Sequence, residues 1–162
     1  MSDQAVLLVA EDLDNDRLLI RRAFQLSNVM NPMFFVYDGE EVVAYLKGEG
    51  RYGNRDEFPL PTILLLDLKM PKLDGFEVIR WIRQQKEFAT LRIVVLTSSQ
   101  DMRDVNHAYE LGANSFLVKP IDFERFMQVA AAIKGYWLWL DKTPVIDRPR
   151  RQLQLGRKSA ES

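Results

Sequence analysis

Five short apolar runs alternate along the chain with longer stretches whose apolar residues recur at helical spacing. The runs predict strands at 5–10, 33–37, 62–67, 92–97 and 115–118. They are nearly continuous in apolar residues, which is typical of parallel strands covered on both faces. The longer stretches predict helices at 15–26, 40–46, 76–83, 102–111 and 123–140.

The alternating order of strands and helices predicts an α/β fold with one parallel sheet and right-handed crossovers. We expect a flavodoxin-like, doubly wound (βα)5 arrangement with five parallel strands in the order 2-1-3-4-5. Asp74 is predicted to cap the third helix, and Gly112 to follow the end of the fourth. The segment 47–61 is predicted to be a long loop rich in glycine, proline and charge.

The chain of 162 residues is predicted to form one domain at 1–142, followed by a flexible basic tail at 143–162. Without cysteine it has neither disulfides nor thiolate ligands. Its net charge of −1 gives no general attraction to nucleic acid or membrane, so neither is expected as a partner. No apolar run approaches the ~20 residues of a membrane span, and the polar start is unlike a signal peptide. We therefore expect a cytoplasmic protein.

Charged side chains stand where three of the predicted strands end. Glu11 and Asp12 follow the first strand, Asp67 ends the third, and Lys119 follows the fifth. Open α/β sheets bind ligands at the carboxyl ends of their strands, so these side chains are expected to converge. Three carboxylates in one crevice repel each other unless a cation neutralises them. Oxygen ligands alone favour Mg²⁺ or Mn²⁺, and Mg²⁺ commonly completes its shell with phosphate oxygens.

Two further residues are expected to face a phosphoryl group. The ammonium of Lys119 is a point charge suited to a phosphoryl oxygen. The bond before Pro120 is predicted to be cis, which would aim the lysine inward. Thr97, at the end of the fourth strand, is predicted to offer its hydroxyl to the phosphoryl group, while the two serines that follow lead into the next helix. His107, the one histidine, is predicted to be an ordinary helix residue. Since no nucleotide-binding loop is present, the phosphoryl group is expected to come from another protein.

These residues resemble the receiver domains of two-component response regulators over residues 5 to about 140. The resemblance rests on Glu11-Asp12, on Leu-Leu-Asp-Leu-Lys-Met-Pro at 65–71, on Asp-Gly at 74–75, on Thr97, and on Lys119-Pro120. It implies that a histidine kinase phosphorylates Asp67. It also implies that Asp12, Asp67 and the backbone carbonyl of Lys69 bind Mg²⁺, with Glu11 acting through water.

A finer resemblance is to the small single-domain regulators that pair with bacterial phytochromes. It rests on the loop at 47–61, on the segment 111–123, and on Gly-Tyr-Trp-Leu at 135–138. Phe116 stands where receivers often carry a tyrosine. The resemblance implies a switch in which Thr97 moves toward the phosphoryl group and Phe116 turns inward, without a hydroxyl hydrogen bond.

The end of the last predicted helix is aromatic on more than one side. Tyr136 and Trp139 lie off its apolar stripe, which predicts a covered surface and, most simply, a homodimer built on the fourth helix, fifth strand and fifth helix. Signalling to an unknown downstream protein is expected through the same surface. Two alternatives from other classes of protein remain. A phosphatase of the haloacid dehalogenase type needs an acid where Lys69 stands, so no turnover enzyme is expected. A phosphorylation-independent interaction module would not need the acids or Lys119.

Overall fold

The computed structural model of the protein describes residues 5–135. In that part of the chain, strands and α-helices alternate from beginning to end. The strands are β1 (Leu7–Ala10), β2 (Met33–Val36), β3 (Ile63–Leu66), β4 (Arg92–Thr97) and β5 (Ser115–Val118). The helices are α1 (Asp14–Leu26), α2 (Gly39–Lys47), α3 (Gly75–Arg83), α4 (Met102–Leu111) and α5 (Phe123–Ile133). The predicted extension of the last helix to residue 140, and the tail at 143–162, lie outside the described residues.

The five strands form a single parallel sheet in the order β2-β1-β3-β4-β5, which confirms the predicted fold. Ala10 of β1 is level with Leu66 of β3, so these neighbouring strands end at the same height. Thr97 of β4 is level with Val118 of β5. The residues that follow these positions therefore meet along one edge of the sheet.

Each face of the sheet carries its own apolar core, because alternate strand residues point to opposite sides. On one face, Leu8, Leu64 and Val95 pack with residues of α2, α3 and α4. On the other face, Leu7, Leu65 and Val94 pack with residues of α1 and α5. All six of these side chains are essentially fully buried. Burial of one such side chain contributes roughly 1.5–3 kcal/mol, so two layers of them fix the strand ends in place.

The helix that follows Asp67 starts at a fixed point. Asp74 accepts a hydrogen bond from the backbone N–H of Glu77, while the Glu77 carboxylate accepts one from the Asp74 N–H. This capping box confirms the predicted cap and holds the loop between β3 and α3. Gly112 ends α4 in the left-handed region, with a φ of 119°, as its position after Leu111 predicts.

The long loop after α2 is anchored by aromatic packing. Its 3-10 turn, Gly50–Gly53, carries Tyr52 onto Tyr45 of α2, with ring centroids 5.0 Å apart. Phe58 packs edge-on against both tyrosine rings. The guanidinium of Arg55 donates to the backbone carbonyls of Tyr45, Leu46 and Phe58. The loop therefore belongs to the core on the α2 side. No helix of the described residues is long and apolar enough to cross a membrane.

Candidate functional site

Three carboxylates meet where β1 and β3 end. Glu11 and Asp12 follow β1, Asp67 follows β3, and one oxygen from each lies within 4.8 Å of the other two. Backbone hydrogen bonds fix the two strand ends, from the Glu11 N–H to the carbonyl of Val36 and from the Asp67 N–H to the carbonyl of Ala10. Glu11 is 1% exposed and Asp67 is 5% exposed. The predicted convergence of these acids is thus what the fold produces.

Lys119 lies among these acids, although it follows β5, the edge strand that lies two positions from β3 in the sheet. Its backbone N–H donates to the carbonyl of Thr97, which places it directly after β5. Its Nζ lies 2.5 Å from Glu11 Oε1, 2.7 Å from Asp16 Oδ2 and 3.0 Å from Asp67 Oδ2. An ammonium group has three donor hydrogens. The three contacts therefore account for all of them.

The prediction of a cis bond before Pro120 is wrong. All peptide bonds of the described residues are trans, including the one between Lys119 and Pro120. The trans form is the ground state of such a bond by roughly 0.5–1 kcal/mol. The side chain of Lys119 is long enough to reach Asp67 from a trans bond, so the site does not need the rarer isomer.

Asp16 is the site residue that the sequence reasoning missed. It lies in the first turn of α1, where side chains point back toward the helix N-terminus and so toward the strand ends. Its side chain is 22% exposed, compared with 88% for Asp14, two residues earlier. The signal was available, because an acid in the first turn of the helix that follows Glu11 and Asp12 can reach the same crevice.

The crowding of charge changes two pKa values. Burial, together with the charge of Asp67, raises the pKa of Glu11 to about 7 despite the lowering effect of its hydrogen bond with Lys119. Burial alone would lower the pKa of Lys119, but hydrogen bonds to Asp16 and Glu11 and the charge of Asp67 raise it above its usual range. Lys119 is therefore charged at neutral pH, while Glu11 keeps its proton to a higher pH than a free carboxyl group does.

The donor set fits a hard divalent cation. It offers carboxylate oxygens from Glu11, Asp12 and Asp67, the ligand type that Mg²⁺, Mn²⁺ and Ca²⁺ share. The backbone N–H of Lys69 donates to Asp67 Oδ1 at 3.2 Å, which brings the main chain of Lys69 beside the cluster. The role of its carbonyl as a ligand stays a prediction.

Gly75 lets α3 begin directly against the Asp67 loop. A Cβ at this position would lie 2.6 Å from Leu68 Cα and 2.8 Å from the carbonyl oxygen of Asp67. Its N–H donates to the carbonyl of Leu68 at 2.9 Å. The Asp-Gly pair at 74–75 thus acts on the site through backbone packing, because no larger residue fits at the second position.

Thr97 ends β4 with an unused hydroxyl. Its side chain is fully buried, and within the described part of the chain its Oγ1 has no hydrogen-bond partner. Leaving a buried polar group unpaired costs roughly 1–3 kcal/mol, so this atom is suited to a group that is added to the site. Ser99 is different, because its hydroxyl donates to Asp104 at 2.5 Å and accepts from the Asp101 N–H at the start of α4.

The remaining predicted residues lie outside the acidic crevice. Phe116 is half-buried on β5, level with Val95 of β4, and packs against the core on the α3 and α4 side. His107 packs on Phe76 between α4 and α3, with ring centroids 4.6 Å apart. Tyr136 and Trp139 lie outside the described residues.

The fold and the crevice together define a class of protein. The chain matches the model of the response regulator receiver domain over residues 7–131, and it belongs to that family. It is 34% identical over 145 residues to the probable methanogenesis regulatory protein FilR2 of Methanothrix harundinacea. That match covers 88% of this chain and 89% of FilR2.

Phytochrome-associated regulators are among the relatives. The chain is 33% identical over 142 residues to the response regulator Rcp1 of Synechocystis, covering 85% of this chain and 95% of Rcp1. The Mn²⁺-bound structure of Rcp1 resembles this one with a TM-score of 0.76, over 87% of this chain and 99% of that one. The phosphorylated cyanobacterial phytochrome response regulator RcpA is 31% identical, with a TM-score of 0.78 over 89% of this chain and 99% of that one.

Proposed function

We propose that the protein is a response regulator that accepts a phosphoryl group on Asp67 from a histidine kinase and signals through a protein-interaction surface. One observation carries the proposal. Asp67 is buried beside a lysine ammonium and two further carboxylates able to hold a cation, and Thr97, at the end of β4 along the same edge of the sheet, has an unpaired buried hydroxyl. A crevice that gathers these groups suits the transfer of a phosphoryl group more than any structural role, because it leaves charges and a donor unmatched.

In the proposed transfer, a carboxylate oxygen of Asp67 attacks the phosphorus of a phosphohistidine. A bond forms between this oxygen and phosphorus while the bond from phosphorus to the imidazole nitrogen breaks, and the nitrogen leaves with the electron pair. Lys119 donates to the transferring oxygens, so that catalysis consists of positioning and charge stabilisation. Mg²⁺, or Mn²⁺ in its place, would be held by Asp12, Asp67 and the Lys69 carbonyl, with Glu11 through water, and would supply further neutralisation of the phosphoryl charge.

The proposed switch begins at Thr97. Its unpaired Oγ1 is free to donate to a phosphoryl oxygen, which would draw the side chain toward Asp67. Phe116, half-buried on the neighbouring strand, would then turn into the space behind it. The rearrangement would favour one state of the surface formed by α4, β5 and α5.

That surface is proposed to form a homodimer. Val118 is 42% exposed and Ile121 is 100% exposed, and both line a groove of about 480 Å³ between β5 and α5. Apolar side chains left open in this way favour a protein partner. Tyr136 and Trp139, which follow α5, are proposed to extend the contact. The downstream protein would read the same surface.

A phytochrome-type photoreceptor kinase is the proposed phosphoryl donor. The support is the likeness over nearly the full lengths of Rcp1 and RcpA. A phosphotransfer screen against the host's histidine kinases tests this, with preferential labelling by a phytochrome kinase expected. Faster labelling by a kinase without a bilin-binding domain would contradict the assignment and would leave the role of Asp67 intact.

The phosphorylation site has a direct test. Incubation with acetyl phosphate and Mg²⁺, followed by intact-mass spectrometry, should show one added phosphoryl group on the wild type and none on Asp67→Asn. Asp56→Asn, an equal change on an exposed loop residue, is the matched control and should label like the wild type. Equal labelling of Asp67→Asn would refute the assignment. Labelling of neither protein would favour the phosphorylation-independent module. We expect no turnover of added phosphate esters beyond the loss of the protein's own phosphoryl group.

A further inference from the structure

Lys119 contacts one carboxylate that lies outside the acidic cluster. Its Nζ contacts Glu11 and Asp67, which belong to the cluster, and also Asp16, which does not. The contact with Asp16 Oδ2, at 2.7 Å, is shorter than the contact with Asp67 Oδ2 at 3.0 Å. It ties the first turn of α1 to the residue that follows β5.

Lys119 forms an ion pair with Asp16. The nearest arginine in sequence, Arg17, is already engaged with the carboxylate of Asp14 and with the carbonyl of Glu11. A cation bound by Glu11, Asp12 and Asp67 would offset the charges of those three residues, whereas Asp16 lies outside the group. Asp16 therefore remains an acceptor for Lys119 when a cation neutralises the three carboxylates of the cluster.

We propose that Asp16 is a positioning residue that competes with the phosphoryl group for the ammonium of Lys119 and so weakens the binding of phosphoryl ligands at Asp67. This inference rests on the proposed function. Since Asp16 and Asp67 contact the same nitrogen, their carboxylate oxygens lie within about 6 Å of each other, a separation at which like charges act strongly on each other. An anionic phosphoryl group on Asp67 would have to draw Lys119 away from Asp16 or share it.

The competition is measurable with beryllofluoride, which stands in for the phosphoryl group. Calorimetric titration in saturating Mg²⁺ should show about three- to tenfold tighter binding to Asp16→Asn than to the wild type, the range expected for one partly exposed charge pair. Asp16→Glu, which keeps the charge, should bind within twofold of the wild type. Asp14→Asn removes an equal charge from the same helix turn without touching Lys119, and should also stay within twofold.

A double-mutant cycle with Lys119 separates an effect of Asp16 through Lys119 from a direct repulsion between Asp16 and the ligand. In a Lys119→Met background, the change Asp16→Asn should alter beryllofluoride affinity by less than twofold, because the residue that carries the effect is gone. A full-sized effect in that background would show that Asp16 acts on the ligand directly, and the inference would be wrong.

The remaining outcomes are also decisive. Unchanged or weaker binding to Asp16→Asn, with a wild type that binds, would overturn this inference alone. A folded wild type that binds no beryllofluoride in Mg²⁺ would overturn the proposed function, and this inference with it.

Discussion

The proton on Glu11 should make the stability of the metal-free protein fall as the pH rises toward neutrality. Burial raises the pKa of Glu11 from its ordinary value of 4.5 to about 7. A carboxyl group whose folded-state pKa is raised binds its proton more tightly in the folded state than in the unfolded chain. The stability that this proton contributes is therefore fully present below pH 4.5 and is lost as the pH rises through 7.

The magnitude follows from the shift. Each pKa unit corresponds to about 1.4 kcal/mol, so the shift of Glu11 allows a loss of about 2 to 3 kcal/mol in the free energy of unfolding between pH 5 and 7.5. Urea unfolding in EDTA across this range measures the loss. In Glu11→Gln the side chain cannot ionise, so the difference between the two proteins isolates the contribution of Glu11 from that of every other titrating group.

A divalent cation should suppress this pH-dependent loss of stability, since it favours the ionised carboxylate. With saturating Mg²⁺ the wild type should lose little stability over the same range, and its apparent Mg²⁺ affinity should fall as the pH drops below 7. The reasoning would be refuted by a metal-free wild type whose stability, relative to Glu11→Gln, stays constant or rises from pH 5 to 7.5.

Three further predictions follow from particular contacts. Asp12→Ala should weaken Mg²⁺ binding in calorimetry at least tenfold because it removes one of the clustered carboxylates, and unchanged affinity would count against the ligand set. Gly39→Ala should cost about 3 kcal/mol in urea unfolding because its Cβ would lie 1.9 Å from the Leu73 carbonyl oxygen, and a neutral effect would show that the loop yields. Sedimentation velocity should show a dimer that beryllofluoride tightens and that Tyr136→Ala with Trp139→Ala weakens, since each buried aromatic contributes roughly 1.5–3 kcal/mol and is repeated by symmetry. A wild type that stays monomeric at high micromolar concentration would rule the dimer out.

The three central strands, β1, β3 and β4, were predictable because both of their faces are buried, which leaves an apolar run with little competing interpretation. The ends of the strands were less predictable. The first run was predicted to start at Ala5, but the ladder starts at Leu7, and the N–H of Val6 is instead paired with the hydroxyl of Thr62. Residues 5 and 6 are buried all the same. The pattern of apolar residues predicts burial, whereas backbone pairing depends on the hydrogen-bonding groups that the neighbouring strand presents.

The residues of the site also divide into those that the sequence predicted and those that it did not. Glu11, Asp12 and Asp67 were predictable because strand ends in a parallel sheet converge whatever their side chains do. Asp16 was missed although its place in the first turn of α1 brings it within reach of the crevice, because its contact with Lys119 depends on the direction of a helical side chain across two elements far apart in sequence. The aromatic anchoring of the 47–61 loop was not predicted for a similar reason. Glycine and proline indicate a loop, but they do not show which core its Tyr52 joins.

The site gathers more acidic side chains than its one ammonium can balance. Around one ammonium stand Glu11, Asp16 and Asp67, with Asp12 beside them, while the buried hydroxyl of Thr97 has no partner. A core selected for stability alone would remove an acid or pair the hydroxyl, because each mismatch costs free energy. The excess of acid also disfavours the approach of an anionic phosphoryl group until positive charge is added. Charge neutralisation and phosphoryl binding should therefore be strongly coupled, in keeping with the raised pKa of the buried Glu11.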